Sequence, residues 1–515
     1  MFNLSIGLED ASRRFPGKEA IVCGPTRLTF KELNDEASKI ASSLQKHGLQ
    51  KGDHVALSCP NLHYFPMIYY GILKAGGVVV PLSILLKNDE IKYHLEDADA
   101  KFYFCFEGDA QLPMGKYGRK AFDATQSCQL LITLDGTSNN KVENELTLEE
   151  FLEGSATEYS TPQIQSDDTA VIIYTSGTTG QPKGAELSHS NLGWNASMCR
   201  HLFKLKVEDK ALTVLPLFHI FGQTCLMNTS IMHGITNVII PRFDAELVLS
   251  AIQQEGVSIF AGVPTMYWGL LHFKNEKSTV NREQVNANLR LCISGGASLP
   301  VQVMNDFEAK FETTIYEGYG MSEGAPVVSF NHPGLKRKSG SIGYPVWGVE
   351  VKLVDKQGAE VKQGERGELL YRGHNVMKGY YKRPEATQKV LIDGWMHSGD
   401  VARQDEEGYY YIVDRTKDVI LRGGVNIYPR EIEEVMIQHE AVSLVAVIGI
   451  HSDRLGEEIK ACVVLEDEHD ISKEDLIQWT KSKIADYKYP REIDFFDALP
   501  VSATGKILKR ALRHN

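Results

Sequence analysis

The stretch Ala170-Val-Ile-Ile-Tyr-Thr-Ser-Gly-Thr-Thr-Gly-Gln-Pro-Lys-Gly184 joins a short apolar run to a loop rich in glycine and hydroxyl residues. The apolar run predicts a buried strand, because turn-forming residues follow it directly. Glycine lets backbone N–H groups approach phosphate oxygens, and the hydroxyls donate further hydrogen bonds. Lys183 adds a positive charge, although the spacing is not that of a Walker A loop. The stretch therefore predicts a polyphosphate-binding loop that follows a strand.

Helical and strand patterns alternate on both sides of this loop. Thr29 and Glu32 form a capping-box pattern that predicts a helix over Phe30–Gln45, and Tyr64–Ala75 is a second helical pattern. Strands are predicted over 54–58, 78–80, 212–216, 237–240, 258–262 and 291–294. Alternation of this kind is typical of an α/β fold, in which mostly parallel sheets are covered by helices.

The domain organisation follows from length and from changes in pattern. With 515 residues the chain is too long for one hydrophobic core. Short β segments dominate beyond Pro333 and predict a small β-rich subdomain over about 333–414. A compact α+β pattern follows, with Pro429 at the start of a helix. We predict an N-terminal domain over 1–416, with two βα-layered lobes and the β subdomain, and an α+β C-terminal domain over 417–515.

Composition excludes several functional classes. The formal net charge is −12 and no long Lys/Arg block occurs, so we expect no nucleic-acid partner. The eight cysteines lack the CxxC spacing of zinc or redox sites and are expected to be reduced thiols. No signal peptide is visible, and no apolar run is long enough for an integral membrane segment. We therefore expect a cytoplasmic protein.

The loop resembles the phosphate-binding motif of the adenylate-forming (ANL) superfamily, which includes acyl-CoA synthetases, luciferases and adenylation domains of peptide synthetases. The resemblance covers nearly the whole chain, because further motifs follow in the family's order. They are Gly318-Tyr-Gly-Met-Ser-Glu323, Trp395-Met-His-Ser-Gly-Asp400, Asp414-Arg-Thr-Lys-Asp418 with Gly423-Gly-Val-Asn-Ile-Tyr-Pro-Arg-Glu-Ile432, and Pro500-Val-Ser-Ala-Thr-Gly-Lys506. The resemblance implies a mobile C-terminal domain and the use of ATP, Mg²⁺ and coenzyme A.

The resemblance also implies which residues contact the nucleotide and the metal. Glu323 would hold Mg²⁺, which prefers carboxylate and phosphate oxygens. Asp400 and Arg415 would bind the ribose, and Gly423 and Gly424 would line the path of the CoA pantetheine arm. The remaining nucleotide contacts would be Thr175, Ser176, Gly177, Thr178, Thr179, Gly180, Lys183, Gly296, Ala297, Glu317, Gly318, Tyr319 and Ser322. Ser322 and Ser398 stand where the family usually has threonine.

Three residues are implied to have catalytic roles. In the family, the lysine at the position of Lys506 stabilises charge between the carboxylate and the α-phosphate. Lys417 falls at the hinge about which the C-terminal domain rotates between two half-reactions. His219 lies in Pro216-Leu-Phe-His-Ile-Phe-Gly222, which resembles the segment that gates the carboxylate site. A neutral, packed histidine is the alternative interpretation of His219.

The substrate is predicted to be a carboxylic acid with an apolar body. The residues implied to line its pocket are Phe218, His219, Gly222, Val263, Met321 and Pro326. None of them is charged, which favours an aliphatic or aromatic acid over an amino acid. The sequence is most similar to bacterial medium- to long-chain fatty-acid–CoA ligases, with hydroxycinnamate–CoA ligases next. Peripheral membrane contact stays possible because such acids partition into bilayers, and the oligomeric state is open.

Three other functions compete with this hypothesis. Gly320-Met-Ser-Glu-Gly324 satisfies the Gly-x-Ser-x-Gly pattern of serine hydrolases, but a hydrolase would leave the other motifs unexplained. An acyl-AMP ligase that loads a carrier protein would share the first half-reaction and differ in the acceptor. A non-catalytic homologue would have no need to keep both Lys506 and Glu323.

Overall fold

The computed structural model describes residues 2–136, 141–175, 181–274, 278–415, 417–452, 454–467, 469 and 471–513. Within these ranges the strands form four sheets. The first 202 residues contain α1 (Ile6–Arg14), β1 (Glu19–Cys23), β2 (Thr26–Thr29), α2 (Phe30–Lys46), β3 (His54–Ser58), α3 (Tyr64–Ala75), β4 (Val78–Pro81), α4 (Asn88–Asp97), β5 (Ala100–Phe106), α5 (Met114–Asp123), β6 (Leu130–Leu134), β7 (Glu145–Thr147), α6 (Leu148–Leu152), β8 (Thr169–Thr175), β9 (Lys183–Ser188) and α7 (His189–Leu202).

The next part of the chain continues the alternation. It contains β10 (Lys210–Thr213), a π-helix (Gly222–Asn228), α8 (Thr229–His233), β11 (Thr236–Ile239), α9 (Ala245–Glu255), β12 (Ile259–Gly262), α10 (Pro264–Leu271), α11 (Arg282–Asn288), β13 (Leu291–Ser294), α12 (Val301–Phe311), β14 (Ile315–Gly320), a 3₁₀ turn (Ser322–Gly324) and β15 (Val327–Phe330). The predicted strand over 212–216 already ends at Thr213, and Pro216 lacks the N–H that a ladder needs.

Strands dominate the remainder. They are β16 (Tyr344–Pro345), β17 (Val349–Val354), β18 (Arg366–Gly373), β19 (Gly379–Tyr380), β20 (Leu391–Ile392), β21 (Trp395–Gln404), β22 (Tyr410–Arg415), β23 (Ile420–Arg422), β24 (Val425–Ile427), β25 (Val442–Ser452), β26 (Gly456–Leu465) and β27 (Glu492–Phe495). The helices among them are α13 (Pro384–Gln388), α14 (Pro429–Met436), α15 (Lys473–Lys483) and α16 (Lys509–Leu512).

Two large sheets form the two βα-layered lobes and confirm the predicted α/β class. The first has eight strands in the order β19-β9-β8-β4-β3-β5-β6-β7, and the second has nine in the order β16-β15-β14-β13-β12-β10-β11-β1-β2. β10 to β14 pair in parallel, so their carboxyl ends meet at one edge. β8 and β9 pair antiparallel, with Thr175 opposite Lys183, so the predicted phosphate loop connects two paired strands.

The capping box predicted at the start of α2 is confirmed. Thr29 Oγ1 accepts from the backbone N–H of Glu32, and the Glu32 carboxylate accepts from the N–H of Thr29, which completes the capping box. Ser472 likewise caps α15 by accepting from the N–H of Asp475. α15 ends at Lys483.

The third and fourth sheets are built from strands between Val349 and Phe495. The third joins β17, β18, β21, β20 and β22, and the fourth joins β24, β23, β26, β25 and β27. The fourth sheet has its own hydrophobic core, from Ile420 to Ile493. We call residues 417–513 the C-terminal unit; the boundary at 416/417 and the motion about it stay predictions. Among the described helices, none has the length and apolar character needed to cross a bilayer.

Candidate active site

A buried carboxylate joins the second and third sheets. Asp400 lies in β21 and is 5% exposed. Its Oδ2 accepts a hydrogen bond from the Tyr319 hydroxyl on β14, and its Oδ1 lies 3.3 Å from Nε of Arg415 on β22. Burial raises the pKa of Asp400, and the charge of Arg415 and the Tyr319 hydroxyl oppose that rise. The site therefore holds an oriented pair of acceptor oxygens, which suits a vicinal diol.

A second carboxylate, Glu323, lies where the phosphate loop begins. Its Oε1 accepts from the Tyr380 hydroxyl at 2.8 Å and from Oγ1 of Thr175 at 3.3 Å. Lys183 Nζ lies 5.4 Å from the centre of the Tyr380 ring. A single buried carboxylate beside a phosphate-binding loop fits Mg²⁺, which usually takes one or two carboxylates and completes its shell with phosphate oxygens and water.

Lys506 of the C-terminal unit reaches this site. Its Cε lies 3.2 Å from the position that a Cβ on Gly296 would occupy. Burial and, next to it, the positive charge of Arg415 lower the pKa of Lys506 to about 8, although the charges of Asp400 and Glu323 act in the opposite direction. The ammonium is therefore held among the residues that the sequence assigns to ribose and Mg²⁺.

The turn that carries Lys506 depends on Gly505. Its φ is +77°, a conformation that side chains rarely adopt, and a Cβ there would lie 2.8 Å from Cγ2 of Val263. Oγ1 of Thr265 donates to the Gly505 carbonyl at 2.7 Å. The backbone N–H of Ser502 donates to the Lys506 carbonyl at 2.7 Å and closes the turn. Only glycine combines this φ with this close approach.

His219 is neutral and lies near Lys506. Burial and, to a smaller extent, the charge of Lys506 lower its pKa to about 3. Its Nδ1 accepts from the backbone N–H of Phe221 at 3.3 Å, so the neutral ring carries its proton on Nε2. The histidine is therefore neutral, as in the packed alternative, yet it can donate one hydrogen bond from a position near Lys506.

Glu317 is a buried carboxylate that supports the loop after β13. It is 2% exposed, and its Oε1 accepts from the backbone N–H of Leu299 at 3.0 Å. Its Oε2 has no hydrogen-bond partner among the described residues. Burial raises its pKa to about 7. Next to it, Gly318 packs against the ring of Phe330. Glu317 thus holds the loop that contains Gly296 and Ala297, both of which are exposed.

A cavity of about 350 Å³ lies beside the Lys506 turn. Its lining includes Leu85, Phe218, Arg242, Thr265, Met266 and Gly505. Of the residues predicted for the acyl pocket, Phe218 lines this cavity, while Val263 and Pro326 are buried and Met321 is half-buried. Gly222 begins the π-helix. Arg242 gives the cavity one charge, which the uncharged set predicted from the sequence did not include.

The remaining predicted residues fall into four groups. Lys417 is exposed, and partial burial and the charges of Lys183 and Arg415 lower its pKa. Gly423 and Gly424 form the exposed turn between β23 and β24, with φ of +58° and +82°. Ser322 begins the 3₁₀ turn between antiparallel strands, a context unlike the strand-to-helix elbow of a hydrolase nucleophile. Ser176, Gly177, Thr178, Thr179 and Gly180 lie outside the described residues.

Several supporting residues of the site were not predicted from the sequence. Tyr380 bonds Glu323, and Tyr93 on α4 donates to the Pro182 carbonyl at 2.7 Å. Asp97, one helical turn further, accepts from the Tyr174 hydroxyl at 2.8 Å. Thr265 holds Gly505. The spacing of Tyr93 and Asp97 on one helix face was visible in the sequence, but nothing local indicated what they face.

This fold and this convergence of Asp400, Glu323 and Lys506 define the class of AMP-binding, adenylate-forming enzymes. The model of the family described as "AMP-binding enzyme" matches residues 8–381, and that of the "AMP-binding enzyme C-terminal domain" matches 431–506. The chain belongs to this family.

Known proteins resemble the chain over nearly its whole length. A long-chain-fatty-acid–CoA ligase of Bacillus subtilis (strain 168) is 37% identical over 532 residues, covering 98% of this chain and 93% of that protein. A feruloyl-CoA synthase of an Amycolatopsis species is 35% identical over 505 residues, covering 98% and 96%. Both an aliphatic and an aromatic acid therefore occur among the names of these relatives.

Solved structures show the same architecture. ATP-bound MatB from Rhodopseudomonas palustris matches with a TM-score of 0.90 at 29% identity, covering 100% of this chain and 99% of that one. The anthranilate CoA ligase AuaEII in complex with anthranoyl-AMP also gives 0.90, at 27% identity with 100% and 97% covered.

Proposed function

We propose that the protein is an ATP-dependent acid–thiol ligase that converts a medium- to long-chain fatty acid to its CoA thioester through an acyl-adenylate. The observation that carries the proposal is the meeting of Lys506 with Asp400 and Glu323 in one site. The named function of the Bacillus relative supports the fatty acid as substrate. The apolar side chains of Phe218 and Met266 along the cavity support an apolar acid.

In the first half-reaction a carboxylate oxygen attacks the α-phosphorus of ATP, and the bond to pyrophosphate breaks. Two negative groups approach each other, so a cation between them stabilises the transition state. Lys506 supplies that cation, and its buried surroundings strengthen the interaction. Nε2–H of neutral His219 is available to orient the substrate carboxylate. Asp400 orients the ribose by accepting from its hydroxyls.

Glu323 is the residue that would hold Mg²⁺, which neutralises phosphate charge when bound. Tyr380 and Thr175 orient its carboxylate by donating to Oε1. Lys183 adds positive charge beside the loop, where negative charge would develop on the departing pyrophosphate. These residues prepare the leaving group, whereas Lys506 acts at the reacting phosphorus.

In the second half-reaction the CoA thiolate attacks the acyl carbonyl, a thioester bond forms, and AMP leaves with the bonding electrons. Adenylation is needed because a bare carboxylate oxygen is a poor leaving group. The proposed rotation about Lys417 would withdraw Lys506 and bring Gly423 and Gly424 to the CoA path. Both glycines form an exposed turn, which is compatible with a role in the other orientation.

An aromatic acid is the second candidate substrate, favoured by the feruloyl-CoA synthase relative and the anthranilate ligase structure. An acyl-AMP ligase that loads a carrier protein is the third. A cytoplasmic location is part of the proposal, supported by eight buried cysteines that are all free.

The test is acid-dependent exchange between ATP and pyrophosphate, measured with acids from acetate to stearate and with hydroxycinnamates. We expect the highest kcat/KM with medium or long aliphatic acids, and AMP formation that depends on free CoA. Highest activity with hydroxycinnamates would transfer the assignment to the aromatic class. Product formation with a phosphopantetheinyl protein but not with CoA would identify a carrier-loading enzyme, and no exchange with any acid would refute the proposal.

A further inference from the structure

One face of α10 contacts the C-terminal unit at three places. Thr265 Oγ1 donates to the Gly505 carbonyl at 2.7 Å, and Trp268 Nε1 donates to Ser443 Oγ at 3.2 Å. Nε2 of His272, the residue that caps the C-terminal end of the helix, lies 3.1 Å from Oε1 of Glu466. Spacings of three and four residues place all three side chains on the same helix face.

The partners of this face come from two separate parts of the C-terminal unit. Gly505 immediately precedes Lys506. Ser443 is the second residue of β25, and Glu466 directly follows β26. The register pairs Val442 with Leu465, so both partners lie at one end of the same ladder. The α10 face therefore holds the catalytic turn and the fourth sheet at the same time.

The chemistry of these contacts makes them specific to one arrangement. Ser443 is 5% exposed, so its hydroxyl is shielded where it meets the indole N–H. The His272 ring lies between two acceptors, with Nδ1 at 2.8 Å from the Trp268 carbonyl and Nε2 at 3.1 Å from Oε1 of Glu466. Trp268 and His272 also pack ring to ring, with centroids 4.7 Å apart. A rotation of the C-terminal unit would break these bonds together.

We propose that the face formed by Thr265, Trp268 and His272 is the docking surface that selects the adenylating arrangement of the C-terminal unit. Trp268 and His272 are thus positioning residues for the first half-reaction alone, because they act through the placement of Lys506. This inference rests on the proposed function, in which the two half-reactions use different arrangements. A contact made in only one of two states shifts their populations by the free energy of that contact.

The test separates the two half-reactions in Trp268→Phe, Ser443→Ala and the double variant. One net hydrogen bond corresponds to about fivefold, so we expect acid-dependent ATP–pyrophosphate exchange to fall by about that factor. Conversion of purified acyl-AMP and CoA to acyl-CoA should stay unchanged or become faster. Pyrophosphate exchange in the double variant should be no slower than in the slower of the two single variants, because both changes remove the same hydrogen bond. Glu466→Ala should shift the ratio in the same direction.

The matched control is Trp194→Phe, which makes the same chemical change on α7. Trp194 is 51% exposed, and its ring centroid lies 5.9 Å from that of Trp347. It should leave both half-reactions unchanged. The proposal is overturned if both half-reactions fall in parallel in Trp268→Phe, if pyrophosphate exchange is unaffected, or if Trp194→Phe reproduces the effect. Absence of acid-dependent exchange in the unaltered protein would instead refute the proposed function, so the two failures are distinguishable.

Discussion

The Tyr319 hydroxyl donates a hydrogen bond to Asp400 and so joins β14 of the second sheet to β21 of the third at one carboxylate. Arg415 holds the other oxygen of that carboxylate, at 3.3 Å. A buried carboxylate with one fixed donor on each oxygen cannot rotate freely, which keeps its remaining lone pairs in place for a ligand. The relationship makes Tyr319 part of the ribose site through its hydroxyl, whereas the family resemblance implied only that Tyr319 contacts the nucleotide.

Removing this hydroxyl should weaken ATP binding. We expect Tyr319→Phe to raise the KM for ATP about fivefold, since one hydrogen bond to a carboxylate is lost. Asp400→Asn should raise it on the order of tenfold or more, because it removes the charge that pairs with Arg415. The measurement is the KM for ATP and for the acid in the same variants. Tyr411→Phe is the control, because it removes a hydroxyl bonded to Asp405 at 3.0 Å instead. An equal change in both KM values would contradict the assignment.

The adenylation rate should depend on the protonation of Lys506. Its pKa is lowered to about 8, and catalysis requires the ammonium, so pyrophosphate exchange should fall as pH rises through about 8 and be level below it. His219, with a pKa of about 3, stays neutral over this range and adds no limb near neutral pH. The measurement is kcat/KM for the acid against pH.

Replacing Lys506 should lower the rate of pyrophosphate exchange and abolish its decrease above pH 8. Lys506→Ala is expected to lower exchange by about 10²- to 10³-fold, the range seen when one preorganised transition-state contact is deleted. Its residual activity should no longer fall through pH 8. Lys481→Ala, on an exposed residue of α15, is the control and should behave like the unaltered protein. A descending limb that persists in Lys506→Ala would assign the titration to another group.

How far the sequence predicts this molecule depends on the range of each signal. The capping box at Thr29 and the strand leading to Thr175 involve neighbours in the chain, so they were predicted closely. The nucleotide and lysine motifs were found because each is a contiguous stretch. Tyr380 meets Glu323 across 57 positions, and Thr265 meets Gly505 across 240, so only the folded chain brings these partners together. The bond from Tyr319 to Asp400 was missed for the same reason.

The dependence on Mg²⁺ should change when Glu323 loses its charge. Glu323→Gln keeps the size and an acceptor oxygen for Tyr380 but removes the carboxylate that a hard cation prefers. We expect a higher Mg²⁺ concentration for half-maximal exchange, by on the order of tenfold or more, as for a lost charged contact. Glu368→Gln, on the third sheet beside His397, is the matched control. An unchanged Mg²⁺ requirement in Glu323→Gln would show that the metal is held elsewhere.

Helix α4 fixes both flanks of the phosphate-binding loop. On one helix face, Tyr93 donates to the Pro182 carbonyl at 2.7 Å and Asp97 accepts from Tyr174 at 2.8 Å. Asp97 also pairs with Arg383, close to Tyr380 and Glu323. The strand before the loop and the chain after it are therefore attached to the same helix.

Weakening the attachment of the loop flanks to α4 should raise the KM for MgATP and leave the KM for the acid unchanged. Tyr93→Phe removes one hydrogen bond at the second flank, so we expect the KM for MgATP to rise about fivefold while the KM for the acid stays constant. Asp97→Asn should have a larger effect, because it also leaves the Arg383 guanidinium without its charged partner. Steady-state kinetics with each substrate varied separately measures the split, and thermal unfolding checks that the fold persists. Tyr381→Phe removes a similar hydroxyl bond, to Asp99 at 2.8 Å, without touching the loop flanks, and should leave both KM values unchanged. Equal rises in both KM values for Tyr93→Phe would contradict a specific role of α4 in ATP binding.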